Sequence, residues 1–320
     1  MRTTRAHGAL DTDLHSMPRY GSMTIRQFFM VVEIRTKVIS ISTYLLATLY
    51  SIVAGAAVSL LDAGLLLVAV LCVDMGTTAF NTFYDYLRGV DNSLFTVEPD
   101  KVLLHEGVAP AHALIVSLVL YAVAAGTGIA VAALSSWWIL AAGAASMLVG
   151  FLYNGGPIPI SRTPLGEFFA GGFLGSVLFL VIYAVHAGAV DASAVIASLP
   201  STFMIAAVLT VNNTCDFDGD REAGRHTLSI VLGKRAGAVL VDLLVASAYA
   251  LLILVVMSRT AAQLTFLLVG AALTAAILLR MHRRGYSHAT KHANMSAIIR
   301  VIALYTVVYA LVLGVAIIRL

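Results

Sequence analysis

Charge is what this sequence has least of. Only 12% of its 320 residues are Asp, Glu, Lys or Arg, about half the share of an ordinary soluble domain, while 60% are hydrophobic and the mean hydropathy is +0.92. Such a chain cannot clothe itself in a polar surface, which excludes a soluble globular fold and leaves an integral membrane protein. Cysteine is nearly absent too. Cys72 lies inside an apolar run and Cys215 beside a cluster of acids, so a disulfide framework is excluded and two buried thiols are expected. There is no H-E-x-x-H zinc pattern and no Ser/His/Asp constellation, so neither a dedicated zinc site nor a covalent nucleophile has candidate residues. Histidines are scattered, and His282, His288 and His292 share one basic loop in which solvation is their expected state.

Long apolar runs dominate what is there. Met1 to Arg26 holds four arginines and no apolar signal-peptide core, so a poorly ordered cytoplasmic tail is expected before a single membrane domain over residues 27–320. An amphipathic segment, IRQFFMVVEIRTK, leads into apolar runs of about 16 to 24 residues, the length that crosses a bilayer core. They lie near Val38–Val58, Leu65–Phe83, Ala111–Leu134, Trp137–Tyr153, Gly166–His186, Ser193–Val211, Ala236–Met257, Ala261–Leu279 and Ile298–Ile318. The fold class expected is therefore all-α, with nine transmembrane helices. On a nine-helix path starting in the cytoplasm, 18 of the 20 Lys and Arg fall inside, Arg300 at the mouth of the last span counted with them, and the exceptions are Arg259 and Arg319. The positive-inside rule then puts the N-terminus and the loops after spans two, four, six and eight in the cytoplasm, and the C-terminus outside the cell membrane. The glycine pairs Gly155–Gly156 and Gly171–Gly172 suit a tight turn or close helix packing.

The few acids gather at two places on that inner side. Asn212 to Gly233, NNTCDFDGDREAGRHTLSIVLG, carries Asp216, Asp218, Asp220 and Glu222 directly after span six. In a continuous helix Asp216 and Asp220 share a face while Asp218 points elsewhere. Like charges so placed repel unless a cation sits between them, and hard oxygen ligands beside a membrane point to Mg²⁺ shared with phosphate; a solvated helix end is the alternative. Asn81 to Asp91, NTFYDYLRGVD, ends span two in the same way, with Asn81 and Asp85 one turn apart and Asp91 either extending the site or capping the loop. Spans two and six are four apart, which hints at an internal repeat with one half-site in each half. Asp74 and Asp242 lie inside spans, where polar pairing within the bundle is expected.

Cations flank the acids in sequence. Arg35 and Lys37 precede span one, Arg88 and Lys101 follow span two, Arg162 follows span four, and Arg221 and Arg225 adjoin the second acidic site. Carboxylates with such neighbours describe a site for a polyanion held by metal on one side and by Lys and Arg on the other. Arg35, Lys37, Lys101 and Arg225 are the preferred contacts to it, whereas Arg2, Arg283, Arg284 and Lys291 read as ordinary positive-inside charges. A diphosphate at the mouth of a helix-lined cavity suits a lipid diphosphate. Metal makes it a leaving group, and an allylic cation can then attack an electron-rich acceptor.

From about Val32 onward the chain resembles the UbiA superfamily of intramembrane aromatic prenyltransferases, and within it the 1,4-dihydroxy-2-naphthoate polyprenyltransferase branch of menaquinone synthesis. Asn81 and Asp85 match the family's first Asp-rich motif, Asp216 and Asp220 its second, and YNGGPIPISRTPLGE (Tyr153 to Glu167) and the Asn212 to Gly233 stretch resemble that branch. The resemblance implies nine helices around a central cavity and Mg²⁺-dependent transfer of a polyprenyl group from its diphosphate to a small aromatic acceptor, giving demethylmenaquinone. It further implies two Mg²⁺ ions held by Asn81, Asp85, Asp216 and Asp220. It also implies diphosphate contacts from Arg35, Lys37, Arg88, Lys101, Arg162 and Arg225, and an acceptor side made or supported by Tyr153, Asn154, Asn212, Asn213 and Asp91. Departures are Thr82 where the branch usually has Asp, one carboxylate fewer; PDKVLLHEG after the first motif, which leaves Lys101 as its cation; and a tyrosine-to-lysine pattern that ends at Pro157, with Arg162 in its stead. The alternatives are a UbiA-type enzyme with another acceptor or a terpene cyclase, and, from another class, a lipid or ion transporter. Transporters carry acids near the midplane in broken helices, whereas here all but Asp74 and Asp242 lie at cytoplasmic ends.

Overall fold

A computed structural model describes residues 22–91, 101–255 and 260–318; the expected tail, apart from its last few residues, and Arg2, Arg259 and Arg319 lie outside the described residues. Among the described residues there is no strand. Nine long helices account for the apolar runs: α1 Val38–Val53, α2 Leu60–Leu87, α3 Pro110–Leu134, α4 Trp138–Asn154, α5 Gly166–Ala187, α6 Ala192–Cys215, α7 Lys234–Val255, α8 Ala261–Arg284 and α9 Lys291–Ile317. Eight are long and apolar enough to cross a membrane, α1 when taken with the 3₁₀ turn Ile34–Lys37 that leads into it, and the 17-residue α4 is the ninth, shorter apolar helix, about 26 Å at the helical rise. The chain is a multi-pass membrane protein. The helices overrun the apolar runs mainly at the end of the bundle where the acids lie. Polar residues prolong α2 through Asp85, α8 to Arg284 and α9 from Lys291, because the backbone keeps its hydrogen bonds beyond the hydrocarbon.

Local chemistry sets the helix ends. Ser59 caps α2, accepting from the Asp62 amide at 3.3 Å, and Pro110 starts α3, where its missing N–H is not needed. Asp191 caps α6, accepting from the Ala194 amide at 2.8 Å, and its other oxygen accepts from the Tyr183 hydroxyl at 2.6 Å, tying the C-terminal end of α5 to the start of α6. Deeper down, these two helices touch through glycine. A Cβ on Gly171 would sit 2.5 Å from the Thr202 carbonyl oxygen, and one on Gly175 equally close to the Thr202 Cα, so only glycine allows this approach. Between them α5 makes a π-helical turn over Gly172–Val177.

Helix α2 lies along α3, and α6 along α7, so each acid-bearing helix packs on the helix that follows it. Before α1, a short helix, Ile25–Val31, starts from a Thr24/Gln27 capping box. Its buried Val31, with Val32, packs on Ala79, Val102, Leu103 and Val108, a small second core beside the C-terminal part of α2. Asp74 pairs within the bundle as expected, with buried Lys37, whereas Asp242 meets His282 at 2.7 Å at the surface instead of inside the bundle.

Candidate active site

Helices α2 and α6 turn their acidic ends into one cavity of about 1380 Å³, which Asn81, Asp85, Asp91, Asn212, Asp216 and Asp220 all line. The second site keeps helical register. The Asp216 amide donates to the Asn212 carbonyl at 3.0 Å and the Asp220 amide to the Asp216 carbonyl at 2.8 Å, so α6 passes almost unbroken into a further turn, Phe217–Glu222. Asp218 lies off that face, largely exposed, 3.2 Å from Lys234. At the first site the chain reverses at Gly89, whose φ of +65° favours glycine. The Asp91 amide donates back to the Asp85 carbonyl at 3.2 Å, placing both acids together. Thr82 does not belong to this face. It is buried, and its hydroxyl donates to the Val31 carbonyl at 3.0 Å, so the departure from the family pattern removes no carboxylate from the cavity.

The cations divide into two groups. Lys101 lies 3.2 Å from Asp91 and 3.9 Å from Glu33, and Arg225 lies 2.9 Å from Asp220 while donating to the Ser161 carbonyl at 2.9 Å. Both line the cavity, as does Arg35, for which no ion pair occurs among the described residues. Lys37, Arg88 and Arg162 are committed elsewhere. Lys37 is buried, 2.7 Å from both the Asp74 carboxylate and the Thr78 hydroxyl. Arg88 stands over the Tyr84 ring and donates to the carbonyls of Asn154 and Gly156. Arg162 donates to the Ala223 carbonyl at 2.7 Å and accepts from the His226 amide through its own carbonyl, joining two loops. These three hold the cavity's walls instead of facing its interior.

Three residues read otherwise from sequence join the site. Lys291, expected to be an ordinary inner-side charge, lies 2.7 Å from Asp216, and His288, expected in solvent, lies 4.0 Å from the same carboxylate. Glu167 is buried at the start of α5 and accepts from the Asn213 amide at 2.8 Å. Their signal was position alone: the first two open the last span on the side where the acids lie, and Glu167 sits in the stretch that resembles the naphthoate branch.

Burial, then the charges of Asp216 and Asp85, push the Asp220 carboxyl up to about 6 despite Arg225 and Lys291 beside it. Burial works against the charge on Arg225 and Lys101 as well, but the acids outweigh it. Asp220 and Asp85 raise the arginine, and Asp91, Glu33 and Asp85 hold the lysine well above the usual range.

Asp220 Oδ2 is buried with no partner, an acceptor awaiting a positive group. No three His, Cys, Asp or Glu side chains converge to enclose an ion among the described residues. One or two oxygens from each of two helices suit Mg²⁺, which keeps most of its shell for water and phosphate, so the residues fit such an ion. Below this polar mouth the cavity is apolar, with Val70, Val73, Ala124, Ile139, Leu178 and Ile182 among its walls. A charged head with a long hydrocarbon tail matches that division.

The UbiA prenyltransferase family matches residues 40–307. A 1,4-dihydroxy-2-naphthoate octaprenyltransferase of Bacillus subtilis (strain 168) is 33% identical over 184 residues, 58% of this chain and 59% of that one. The protein of the same name from Mycobacterium tuberculosis is 30% identical over 168 residues, 52% of this chain and 56% of that one. The match thus spans a little over half the length of these curated relatives. A UbiA homologue from Archaeoglobus fulgidus, solved bound to DMAPP and Mg²⁺, superposes with a TM-score of 0.64 over 90% of this chain and 99% of its own at 15% identity, a likeness of fold. With the family matching most of the chain and its fold recurring in these helices, the protein belongs to the UbiA prenyltransferase family.

Proposed function

We propose that this membrane protein transfers a polyprenyl group from its diphosphate to a small aromatic acceptor, 1,4-dihydroxy-2-naphthoate in the first instance. One observation carries the reading: acids from the ends of α2 and α6 and cations from four separate segments meet at the polar mouth of a single apolar cavity. The naphthoate octaprenyltransferase relatives support the acceptor, and the Archaeoglobus homologue supports the diphosphate and the ion.

In this reading Asn81, Asp85, Asp216 and Asp220 hold Mg²⁺, two ions shared between the half-sites. When bound, the metal neutralises the diphosphate as it departs. Lys101, Arg225, Lys291 and Arg35 bind the phosphate oxygens by charge-assisted hydrogen bonds, and the apolar walls orient the tail and keep water from the cation left behind. The allylic C–O bond breaks with the diphosphate as leaving group, a C–C bond forms to the ring carbon that carries the carboxylate, and that carboxylate leaves as CO₂, giving the quinol form, demethylmenaquinol, the direct precursor of demethylmenaquinone. The charge asymmetry of the loops sets the protein in the cell membrane with its N-terminus and active-site loops cytoplasmic and its C-terminus external.

The test is product analysis with purified protein, Mg²⁺, prenyl diphosphates of several lengths and a panel of aromatic acids. Prenylated naphthoquinol with release of diphosphate is expected. Diphosphate release without a prenylated acceptor would point to a cyclase, and no release in any mixture would end the enzyme reading.

A further inference from the structure

Asn213 stands one turn before Asp216 on the cavity side of α6, 2% exposed, and its Nδ2 donates to Glu167 Oε1 at 2.8 Å. Glu167 Oε1 accepts here, so the amide nitrogen faces Glu167 and the amide oxygen turns away from it. That oxygen, Asn213 Oδ1, is buried and has no protein partner, and neither has Glu167 Oε2. A buried acceptor left without a donor costs about 1–3 kcal/mol. Arg225 bonds to neither oxygen: its Nη atoms donate to Asp220 and the Ser161 carbonyl, and its buried Nε has no partner. Asn154 on α4 repeats the pattern. Its Nδ2 reaches the Thr77 carbonyl at 3.5 Å, while Oδ1 is buried and unpartnered on the same cavity wall. The wall therefore offers amide oxygens whose nitrogens are already committed, and such a surface takes a ligand that donates hydrogen bonds.

Neither a diphosphate nor a hydrocarbon tail donates. An aromatic acceptor with free hydroxyl groups does. We propose that Glu167 fixes the Asn213 amide so that its oxygen receives a phenolic hydroxyl of the acceptor, making Asn213 a specificity-determining residue and Glu167 its positioning residue. This rests on the prenyl-transfer reading above and adds to it the chemistry by which the acceptor is recognised. A pocket built around a hydroxyl discriminates strongly against an analogue that lacks the donor, because its own buried acceptor is then left unpaired.

The experiment compares 1,4-dihydroxy-2-naphthoate with its 1-methoxy and 4-methoxy analogues, using the purified full chain with Mg²⁺ and polyprenyl diphosphate. The wild type is expected to prefer the dihydroxy acceptor over one methoxy analogue by at least about tenfold in kcat/KM. Asn213→Ala should bring that preference within about threefold, raising the KM for the dihydroxy acceptor while KM for the diphosphate and the Mg²⁺ midpoint stay within about twofold. Glu167→Leu, which frees the amide to turn, should behave likewise. Glu167→Gln keeps an oxygen for Asn213 Nδ2 and should restore most of the preference, a rescue that a merely structural role would not show. If Asn213→Ala does not fold, the Glu167 pair still decides. A preference unchanged in Asn213→Ala or Glu167→Leu overturns the proposal and leaves prenyl transfer standing, and a shift confined to the Mg²⁺ midpoint overturns it in favour of a metal ligand. A wild type that prenylates neither the dihydroxy acceptor nor its analogues removes both readings together.

Discussion

Lys291 Nζ lies 2.7 Å from Asp216 Oδ2, so a cation from the first turn of the last helix stands where the second acidic site would meet a metal. Without metal it offsets part of the repulsion between Asp216 and Asp220. Lys291→Met is therefore expected to act in opposite directions on two ligands. It should tighten Mg²⁺ binding in the absence of diphosphate by removing a competing cation, and weaken diphosphate binding by about 10- to 100-fold, the value of one charge-assisted contact. Metal titration and KM measured on one preparation check both. Equal weakening of the two would show that Lys291 only supports the fold.

Lys37 gives the opposite expectation. Its ammonium is 2% exposed and paired with Asp74, which also accepts from the Ser40 hydroxyl at 2.6 Å. Breaking a buried pair leaves an uncompensated charge and costs about 3–5 kcal/mol. Lys37→Met should lower the unfolding midpoint sharply while KM for the diphosphate in the folded fraction stays near wild type, and Lys37→Met/Asp74→Leu should recover much of the stability. A raised KM with normal stability would return Lys37 to the diphosphate.

These two lysines show where a sequence stops being legible. The nine spans, both acidic half-sites and the i, i+4 face shared by Asp216 and Asp220 follow from periodicity and apolar length, which act locally and leave a local trace. Which loop cation faces inward does not. Lys37 is adjacent to α1 in sequence yet turns to Asp74 on α2, and Lys291 lies 75 positions from Asp216 and still meets it, because α9 packs on α6. Thr82 is misread for the same reason. One residue's step around α2 turns it from the Asn81 face to the Val31 carbonyl, a direction set by a short N-terminal helix whose docking periodicity does not reveal.

Thr82 also yields a test. Thr82→Val removes one hydrogen bond to Val31 and should lower stability by about 1 kcal/mol with kcat and the Mg²⁺ midpoint unchanged. Thr82→Asp, the residue usual in the family branch, sets a buried carboxylate against a carbonyl oxygen and should destabilise more without tightening Mg²⁺ binding. A tighter midpoint in Thr82→Asp would mean that position 82 reaches the cavity.

The pH dependence follows from Asp220. Its folded-state value of about 6 lies above the unfolded value of about 3.9, so the metal-free fold holds this proton more tightly than the unfolded chain. That contribution to stability is fully present below about pH 4 and lost as pH rises through about 6. Metal needs the carboxylate, so the sign reverses for binding. Below pH 6 the Mg²⁺ midpoint should rise by up to about tenfold per pH unit, and in Asp220→Asn that dependence should weaken, the other carboxylates keeping a remainder. Titrations at pH 5, 6 and 7.5 measure it, and a flat midpoint across that range would remove Asp220 from the ligand set.

The acids themselves give the most demanding test, because Asp85 and the Asp216–Asp220 pair stand on different helices and share only the cavity between them. Asp85→Asn, Asp216→Asn and Asp220→Asn should each lower kcat by about 100-fold or more. Asp216→Asn and Asp220→Asn also leave Lys291 and Arg225 without their carboxylates and should lower the unfolding midpoint, so kcat is compared on the folded fraction of each protein. Groups that hold one ion-bridged diphosphate act as a unit, so Asp85→Asn/Asp216→Asn should be little worse than either single variant. Raising Mg²⁺ should partly rescue the singles by mass action. Asp218→Asn, whose side chain is exposed beside Lys234, should keep most activity. Losses that multiply in the double variant would mean the two half-sites act independently. Wild-type turnover in Asp85→Asn and Asp216→Asn alike would mean that the diphosphate is activated without metal at these acids.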